Sequence, residues 1–169
     1  MLATHRSKLS VAVAAFALVA GCHGNKDADA AKAGDEVKAN MTAMVAAFAS
    51  RDADKAVSWD AADFVGMYHG TPNVNGQEAD RKITKEQVAD PAMQFSVSDA
   101  VVDVAKSGDL AVWRATYSYT YTDPATKRAK TEVGNWVVGW KRDEAGVFKE
   151  AWGVVSDTPS AAAAAPPPA

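Results

Sequence analysis

Apolar positions early in the chain repeat with the 3.6-residue period of an α-helix. They form one stripe, which consists of Val37, Met41, Met44, Val45 and Phe48. Such a stripe predicts a helix of about 15 residues that packs one face against a core. Either Asp52 or Asp54 can cap a second, shorter helix that ends near Trp59. A third helix is predicted over 78–88, where charged residues dominate, and we expect it to lie on the surface.

From residue 95 onward, apolar and polar positions alternate, which is the pattern of half-buried β-strands. The pattern predicts strands over 95–105, 110–122, 131–142 and 147–156, joined by short turns. An apolar, β-prone segment also covers 63–69 and precedes a loop rich in glycine, proline and asparagine. Helices that precede consecutive antiparallel strands indicate an α+β fold. Glycines at 134, 139 and 153 fall inside strands and predict bulges or sharp bends, so the sheet should curve around the first helix.

The alternation also predicts which side chains share a face of each strand. The four predicted sets are Phe95, Val97 and Val101; Trp113, Ala115, Tyr117, Tyr119 and Tyr121; Trp136, Val138 and Trp140; and Phe148, Trp152 and Val154. The second set contains three tyrosines, whose hydroxyls need polar partners when they are buried. This stripe can therefore line a cavity or present an outer contact surface, and the sequence leaves both interpretations open.

The N-terminal segment has the order of a bacterial secretion signal. Three basic residues and no acid precede an apolar stretch over 9–20, which is too short to span a bilayer as a mature helix. Leu18-Val19-Ala20-Gly21-Cys22 follows directly and resembles a bacterial lipobox, whose cysteine is acylated before cleavage. We therefore predict a signal peptide over 1–21 and lipidation of Cys22, the only cysteine of the chain. The alternative is a conventional signal peptide with an incidental cysteine.

The other boundaries follow from local composition. Residues 22–33 comprise the lipidated cysteine and small or charged residues, which predict a flexible linker to the membrane. The folded domain is expected over 34–157, and an alanine- and proline-rich tail over 158–169 is expected to be disordered. His23 follows the cysteine, and the absence of Asp there favours the outer membrane by resemblance to enterobacterial sorting. The predicted location is thus the cell envelope, with the domain facing the periplasm.

Charge and residue counts exclude several classes of function. The formal net charge is −3 and there is no long basic run, so nothing indicates binding of nucleic acid. A single cysteine excludes a disulfide scaffold and a cysteine-based zinc site. His69 is the only histidine of the predicted domain, which is too few for a histidine-based metal site. There is also no glycine-rich phosphate loop or nucleophile elbow, and we predict neither a metal nor a cofactor.

Several short segments together resemble the nuclear transport factor 2-like superfamily, in its SnoaL-like and ketosteroid-isomerase-like bacterial branch. They lie within about 35–157 and include Ala47–Asp52, Asp63–Tyr68, Gly70–Pro72, Gly76, Ser107–Ala111, Gly134–Trp140 and Gly146–Trp152. The resemblance implies a cone-shaped α+β fold, with a strongly curved, mainly antiparallel sheet wrapped around N-terminal helices. It also implies that a homodimer can form through the sheet. These segments specify a shape rather than a catalytic signature, and this shape supports both enzymes and binding modules.

A cone of this kind has an interior, and the sequence offers candidates to line it. The aromatic and polar candidates for a ligand pocket are Trp59, Phe64, Tyr68, Tyr117, Tyr119, Asn135, Trp136 and Trp152. The candidates for acid–base catalysis are Asp60 and Asp63, which this fold places near the cavity mouth, together with Tyr68 and His69. Arg114 and Glu132 can form a cross-strand ion pair, or the arginine can bind a ligand carboxylate.

The acid–base set that the resemblance implies is incomplete. Ketosteroid isomerases combine an aspartate base with an oxyanion site made of a tyrosine and a protonated aspartic acid. The first predicted helix of this chain carries no inward tyrosine. We therefore favour a lipid-anchored periplasmic domain that binds a small apolar ligand or a protein partner without catalysis. The alternatives are a SnoaL-like isomerase, dehydratase or cyclase, and a module that dimerises through its sheet.

Overall fold

The computed structural model describes residues 26–158. The predicted signal peptide, Cys22 and the tail beyond residue 158 lie outside the described residues. The elements are α1 (Lys26–Ala49), α2 (Ala53–Ala56), a single 3-10 turn (Val57–Trp59), β1 (Asp60–Tyr68), β2 (Val74–Asn75), α3 (Gln77–Ala89), β3 (Gln94–Val104), β4 (Leu110–Thr122), β5 (Ala129–Arg142) and β6 (Phe148–Asp157). Their order matches the predicted sequence of helices followed by long strands, with the short β2 added inside the predicted loop.

The six strands form one sheet in the order β2-β1-β6-β5-β4-β3. All neighbours run antiparallel except β1 and β6, which are parallel. The last four strands are consecutive in the chain and adjacent in the sheet, so the predicted meander is confirmed. The strand register shifts within β1, within β3 and between β5 and β6, and such bulges bend a sheet. The sheet curves around α1, which confirms the predicted α+β architecture.

The main core lies between α1 and the concave face of the sheet. The helix contributes Ala33, Val37, Met41 and Met44, and the strands contribute Ala111, Trp113, Ala115, Val138, Trp140 and Phe148. These helix positions are three or four residues apart, so they lie on one face and bury together. Burial of this apolar face provides most of the stabilisation of a helix of this kind.

The structure corrects the predicted linker, because α1 begins at Lys26 and is 24 residues long. Residues 26–33 are therefore helical rather than a flexible tether. Four of these eight residues are alanines, which have the highest helix propensity, and the side chain of Ala33 is fully buried. Among the helices within 26–158, none is long and apolar enough to cross a membrane.

Bulges correct two of the predicted strand faces. In β3, Asp99 adopts a left-handed φ of 55° beside the register shift, so Val102 and Val104 contact the core while Val101 is exposed. In β6, the partners of Gly139 and Trp140 are Trp152 and Glu150, which leaves Ala151 as an extra residue. One extra residue reverses every later side chain of a strand. Phe148 therefore points into the core, whereas Trp152 and Val154 lie on the convex face.

The helix ends are fixed by specific hydrogen bonds. Asp52, rather than Asp54, caps α2, because its Oδ1 accepts from the backbone N–H of Lys55 at 3.0 Å. Arg51 has a left-handed φ of 67° directly after α1. Its guanidinium donates to the backbone carbonyls of Val88, Asp90, Pro91 and Met93. These bonds attach the end of α1 to the connection between α3 and β3, and so hold α3 over one end of the sheet.

Candidate functional site

A cavity of about 470 Å³ opens between the helices and the concave face of the sheet. This volume falls within the range that holds a small organic molecule. Its aromatic wall consists of Phe48, Phe64, Tyr68, Phe95, Tyr117, Tyr119, Tyr121 and Trp136. The tyrosine stripe of β4 is part of this wall, so of the two interpretations that the sequence left open, the structure supports the cavity lining.

Five of the eight predicted pocket residues line this cavity, namely Phe64, Tyr68, Tyr117, Tyr119 and Trp136. The other three do not line it. Trp59 packs against the core under α1. Asn135 is exposed, because it alternates with the inward Gly134 and Trp136 on β5. Trp152 lies over Gly139 on the convex face, as a result of the bulge at Ala151.

Three carboxyl side chains meet at the inner part of the cavity. Asp60 and Glu150 are direct partners on the parallel strands β1 and β6, and each is only 4% exposed. Asp80 reaches the same region from α3 and is 7% exposed. Its inward orientation follows from helix periodicity, since Asp80, Thr84 and Val88 are the buried residues of α3 and lie four positions apart. This helix lies on the surface, as predicted, and buries one face against the cavity.

The three carboxyl groups differ in their hydrogen bonds. Tyr68 Oη donates to Asp80 Oδ1 at 2.7 Å, and Thr84 Oγ1 donates to Asp80 Oδ2 at 3.5 Å. By contrast, Oδ2 of Asp60 is buried without a partner. The carboxyl of Glu150 receives no hydrogen bond from any residue within 26–158. A buried polar group without a partner is costly, and such groups in native proteins usually have a functional reason.

These surroundings shift the protonation of each carboxyl in a different way. Burial, followed by the neighbouring charge of Asp80, raises the pKa of Asp60 to about 8. Burial also raises the pKa of Glu150 well above its usual range, and the charges of Asp60 and Asp80 add to the effect. For Asp80, burial raises the pKa, but the hydrogen bonds from Tyr68 and Thr84 oppose the shift. At neutral pH, Asp60 and Glu150 are therefore mostly protonated, and Asp80 is the carboxyl best placed to stay ionised.

A second polar group surrounds Glu132 in the cavity wall. Tyr117 Oη donates to Glu132 Oε1 at 2.7 Å, and His69 Nε2 lies 3.1 Å from the same oxygen. His69 Nδ1 is 4.0 Å from Asp157 Oδ1. The half-exposed His69 thus joins the end of β1 to β5 and β6. This arrangement orients the histidine between two carboxylates.

Two sequence-based assignments of charged residues are wrong. Asp63 is exposed and lies on the convex side of β1, in a groove with Lys149 and Trp152. Arg114 does not pair with Glu132, because the β4–β5 register places Tyr119 opposite Glu132. Arg114 Nε instead lies 3.4 Å from Asp103 Oδ2, on the neighbouring strand β3.

Sequence reasoning missed Asp80 and Glu150, which complete the site. Both left a weak signal in the pattern. Asp80 shares a four-residue spacing with Thr84 and Val88, and Glu150 lies two residues after the apolar Phe148 on a predicted strand. No three histidine, cysteine, aspartate or glutamate side chains are placed to hold a metal ion in the part of the chain that the structure describes. The chemistry that this arrangement offers is proton transfer and hydrogen bonding.

Comparison with solved structures identifies the fold. The chain is similar to an NTF2-like protein with a cystatin-like fold from Novosphingobium aromaticivorans, with 16% identity over 88% of this chain and 96% of that one, and a TM-score of 0.65. A candidate scytalone dehydratase from the same organism gives a TM-score of 0.66, with 12% identity over 78% and 88% of the two chains. A ketosteroid isomerase-like protein from Erwinia carotovora atroseptica gives 0.60, with 19% identity over 75% and 97%. No protein-family model and no curated protein matches the sequence. The NTF2-like fold, predicted from the short segments, is confirmed.

Proposed function

We propose that this protein catalyses proton transfer on a small, mostly apolar substrate held in the concave cavity, as in an isomerisation or a dehydration. The observation that supports this proposal is the convergence of Asp60, Glu150 and the hydrogen-bonded Tyr68–Asp80 pair on one aromatic cavity. Acid–base catalysis needs groups in different protonation states within reach of the same substrate. The buried carboxyls meet this requirement, because burial raises the pKa of all three, and only at Asp80 do hydrogen bonds, from Tyr68 and Thr84, oppose that shift.

The proton donor in this proposal is the Asp60–Glu150 pair. A carboxyl that stays protonated near neutral pH can donate a hydrogen bond to a carbonyl oxygen, or a proton to a departing hydroxyl. Asp60 is the more suitable of the two, since its pKa of about 8 lies close to the physiological range. Glu150 then supports Asp60 as a second neutral acid.

The proton acceptor is the Tyr68–Asp80 pair. Tyr68 lines the cavity, and its hydroxyl donates a hydrogen bond to Asp80 Oδ1 at 2.7 Å. A proton that leaves a substrate C–H bond can be accepted by Tyr68 Oη while the hydroxyl proton moves to Asp80. In a dehydration, the electron pair of that C–H bond forms the new double bond as the hydroxyl leaves with a proton from Asp60. In an isomerisation, the Tyr68–Asp80 pair returns one proton to a different carbon of the substrate, and no atoms are lost.

The sequence favoured ligand binding without catalysis, because no convincing acid–base set was evident in it. The cavity supports the ligand-binding part of that hypothesis, and the buried acids support the alternative of an acid–base enzyme. Similar folds described as isomerase-like and dehydratase-like proteins agree with this class of reaction. That agreement rests on the fold alone.

Hydrogen exchange tests the proposal directly. Small aryl ketones with and without an amino group, including 4-phenylbutan-2-one, are incubated with the full chain in D₂O, and C–H exchange is followed by NMR. We expect exchange of at least one ketone to exceed the buffer rate, and Asp60→Asn to lower it roughly 100-fold. Tyr68→Phe should also slow exchange, because it removes the hydroxyl between the substrate and Asp80.

Asp63→Asn is the matched control, since Asp63 is on the same strand but exposed on the convex face. It should leave the exchange rate unchanged. An exchange rate equal to that of buffer for every ketone, or a full rate in Asp60→Asn, would contradict the proposal. Thermal unfolding of each variant establishes that the loss of rate does not come from loss of the fold.

We also propose that the domain is anchored to the bacterial envelope through an acylated Cys22 and faces the periplasm, with the outer membrane favoured. The support is the lipobox-like sequence at 18–22 and the position of the only cysteine within it. An N-terminal cysteine with several acyl chains would bind a membrane almost irreversibly.

A further inference from the structure

The polar lining of the cavity is acidic. Four carboxyl side chains contribute to it, from Asp60, Asp80, Glu132 and Glu150. Among the lining residues within 26–158 there is no lysine or arginine, and the only basic side chain is that of His69 at the Glu132 end. An anionic ligand would meet these acids without an opposing charge. The composition of the lining therefore disfavours a carboxylate or phosphate as the ligand.

The nearest cations are engaged outside the cavity. Arg81 Nη1 is 2.7 Å from Asp54 Oδ1, and its Nε is 3.3 Å from Glu78 Oε1. Lys149 Nζ donates to the backbone carbonyl of Ser58 at 3.1 Å. Both cations lower the pKa of Asp60 only as minor opposing effects. No protein cation thus neutralises the inner acids in the described part of the chain.

The cavity also contains carboxyl groups that lack hydrogen-bond partners within the protein. The hydroxyls of Tyr68 and Tyr117 already donate to Asp80 and Glu132. The carboxyls of Asp60 and Glu150 are each 96% buried, line the cavity and include an oxygen, Oδ2 of Asp60, that has no partner. A ligand that donates several hydrogen bonds and carries a positive charge would satisfy these groups. Aromatic faces next to them favour a cation as well, through its attraction to the ring electrons.

We infer that the ligand of this cavity is an organic cation, a primary or secondary amine bound as its ammonium form, with a compact apolar or aromatic body. The ammonium group binds the Asp60–Glu150 pair, and the body contacts Phe95, Tyr119 and Trp136. When the ammonium enters, the pair loses one proton and keeps the other. The inference shares with the proposed function the premise that the cavity is the ligand site, and it adds the charge of the substrate.

Calorimetric titration of the full chain with three ligands of similar size tests the inference. The ligands are 2-phenylethylammonium, the neutral 2-phenylethanol and the anionic 3-phenylpropanoate. We expect the ammonium to bind roughly tenfold or more tightly than the alcohol, and the anion to give no binding heat. Titration in buffers of different ionisation heat should also show release of protons when the ammonium binds near neutral pH, because the pair is mostly protonated beforehand.

Glu150→Gln keeps the size of the side chain and prevents it from ionising when the ammonium binds. It should weaken binding of the ammonium roughly tenfold and leave binding of the alcohol unchanged. Asp63→Asn, on the convex face, should change the affinity for neither the ammonium nor the alcohol. Equal or tighter binding of the alcohol, an unchanged preference in Glu150→Gln, or no binding of the ammonium at millimolar concentration would overturn the inference. The proposed function is tested separately by C–H exchange, so the failure of one proposal can be distinguished from the failure of the other.

Discussion

Asp60 is the residue at which the stability of the fold and the chemistry of the site oppose each other. It is almost fully buried, one of its oxygens has no hydrogen-bond partner, and the carboxyl lies beside two other acids. A neutral side chain at a core position of this kind would cost less free energy to bury. Its presence here is typical of a functional group that is retained at the expense of stability.

Replacement of Asp60 by Asn should make the stability less dependent on pH. The pKa of this carboxyl is about 8 in the folded chain, against an ordinary value of 3.8. The folded state therefore binds the extra proton between these values, and stability falls as the pH rises through this window, by at most about 1.4 kcal/mol per pH unit. Asp60→Asn removes this contribution. Near pH 8 we expect the free energy of unfolding of Asp60→Asn to be about 2 kcal/mol higher than that of the wild type.

Urea denaturation at about pH 5, 6.5 and 8 measures the effect. The wild type should lose stability along this series more steeply than Asp60→Asn. Some slope should remain in the variant, because Asp80 and Glu150 also have raised pKa values and act in the same direction. Parallel curves for the two proteins would show that Asp60 ionises normally in the fold.

At the scale of secondary-structure elements, the periodicity of apolar residues predicted the regular helices and strands but not the bulges within the strands. The apolar stripe of α1 and the alternation of β4 are continuous, so their existence and their buried faces could be predicted. The bulge at Asp99 could not be predicted, because it adds one residue without a distinctive sequence pattern. Gly139 did indicate an irregularity where the register of β5 and β6 shifts, but not that the extra residue there is Ala151. For this reason the side chain of Trp152 was predicted to lie on the wrong face of β6.

The candidate site was only partly predictable for a related reason. Asp60, Tyr68 and most of the aromatic wall were candidates, because they lie on strands whose faces could be assigned. Glu150 and Asp80 were missed, because charged residues at strand and helix positions usually face solvent. Their burial depends on contacts between β1, β6 and α3, and a single sequence does not show which elements pack together.

The close contact across the β5–β6 bulge gives a test at the element scale. A Cβ added to Gly139 would lie 2.0 Å from Cε2 of Trp152, so the indole or the strand would have to move. We expect Gly139→Ala to destabilise the fold by about 2 kcal/mol, as overpacking does. Chemical denaturation measures the change in the free energy of unfolding.

Gly34 in α1 is the matched control for this substitution. A Cβ there would lie 3.5 Å from Val104, which is an ordinary van der Waals distance. Alanine also favours a helix over glycine by about 1 kcal/mol, so Gly34→Ala should be neutral or stabilising. An equal loss of stability in both variants would indicate that the Trp152 contact is not the cause.

At the scale of the whole molecule, the start of α1 bears on how the domain is held at a membrane. Only three residues separate Cys22 from Lys26, where the helix begins. Even fully extended, four residue steps span at most about 14 Å. If Cys22 carries lipid, the N-terminal end of α1 therefore lies close to the headgroups, and the domain cannot move far from the bilayer.

The anchor itself is tested by the chemistry of the mature N-terminus. Cells that produce the full chain are fractionated, and the N-terminal peptide is analysed by mass spectrometry. We expect a peptide that begins at Cys22 and carries acyl groups, in a protein that partitions into detergent. Cys22→Ser should abolish the acyl mass, because serine lacks the thiol that is modified. A mature protein that is cleaved elsewhere and retains an unmodified Cys22 would instead support a conventional signal peptide. The start of α1 would then not be held within about 14 Å of a membrane.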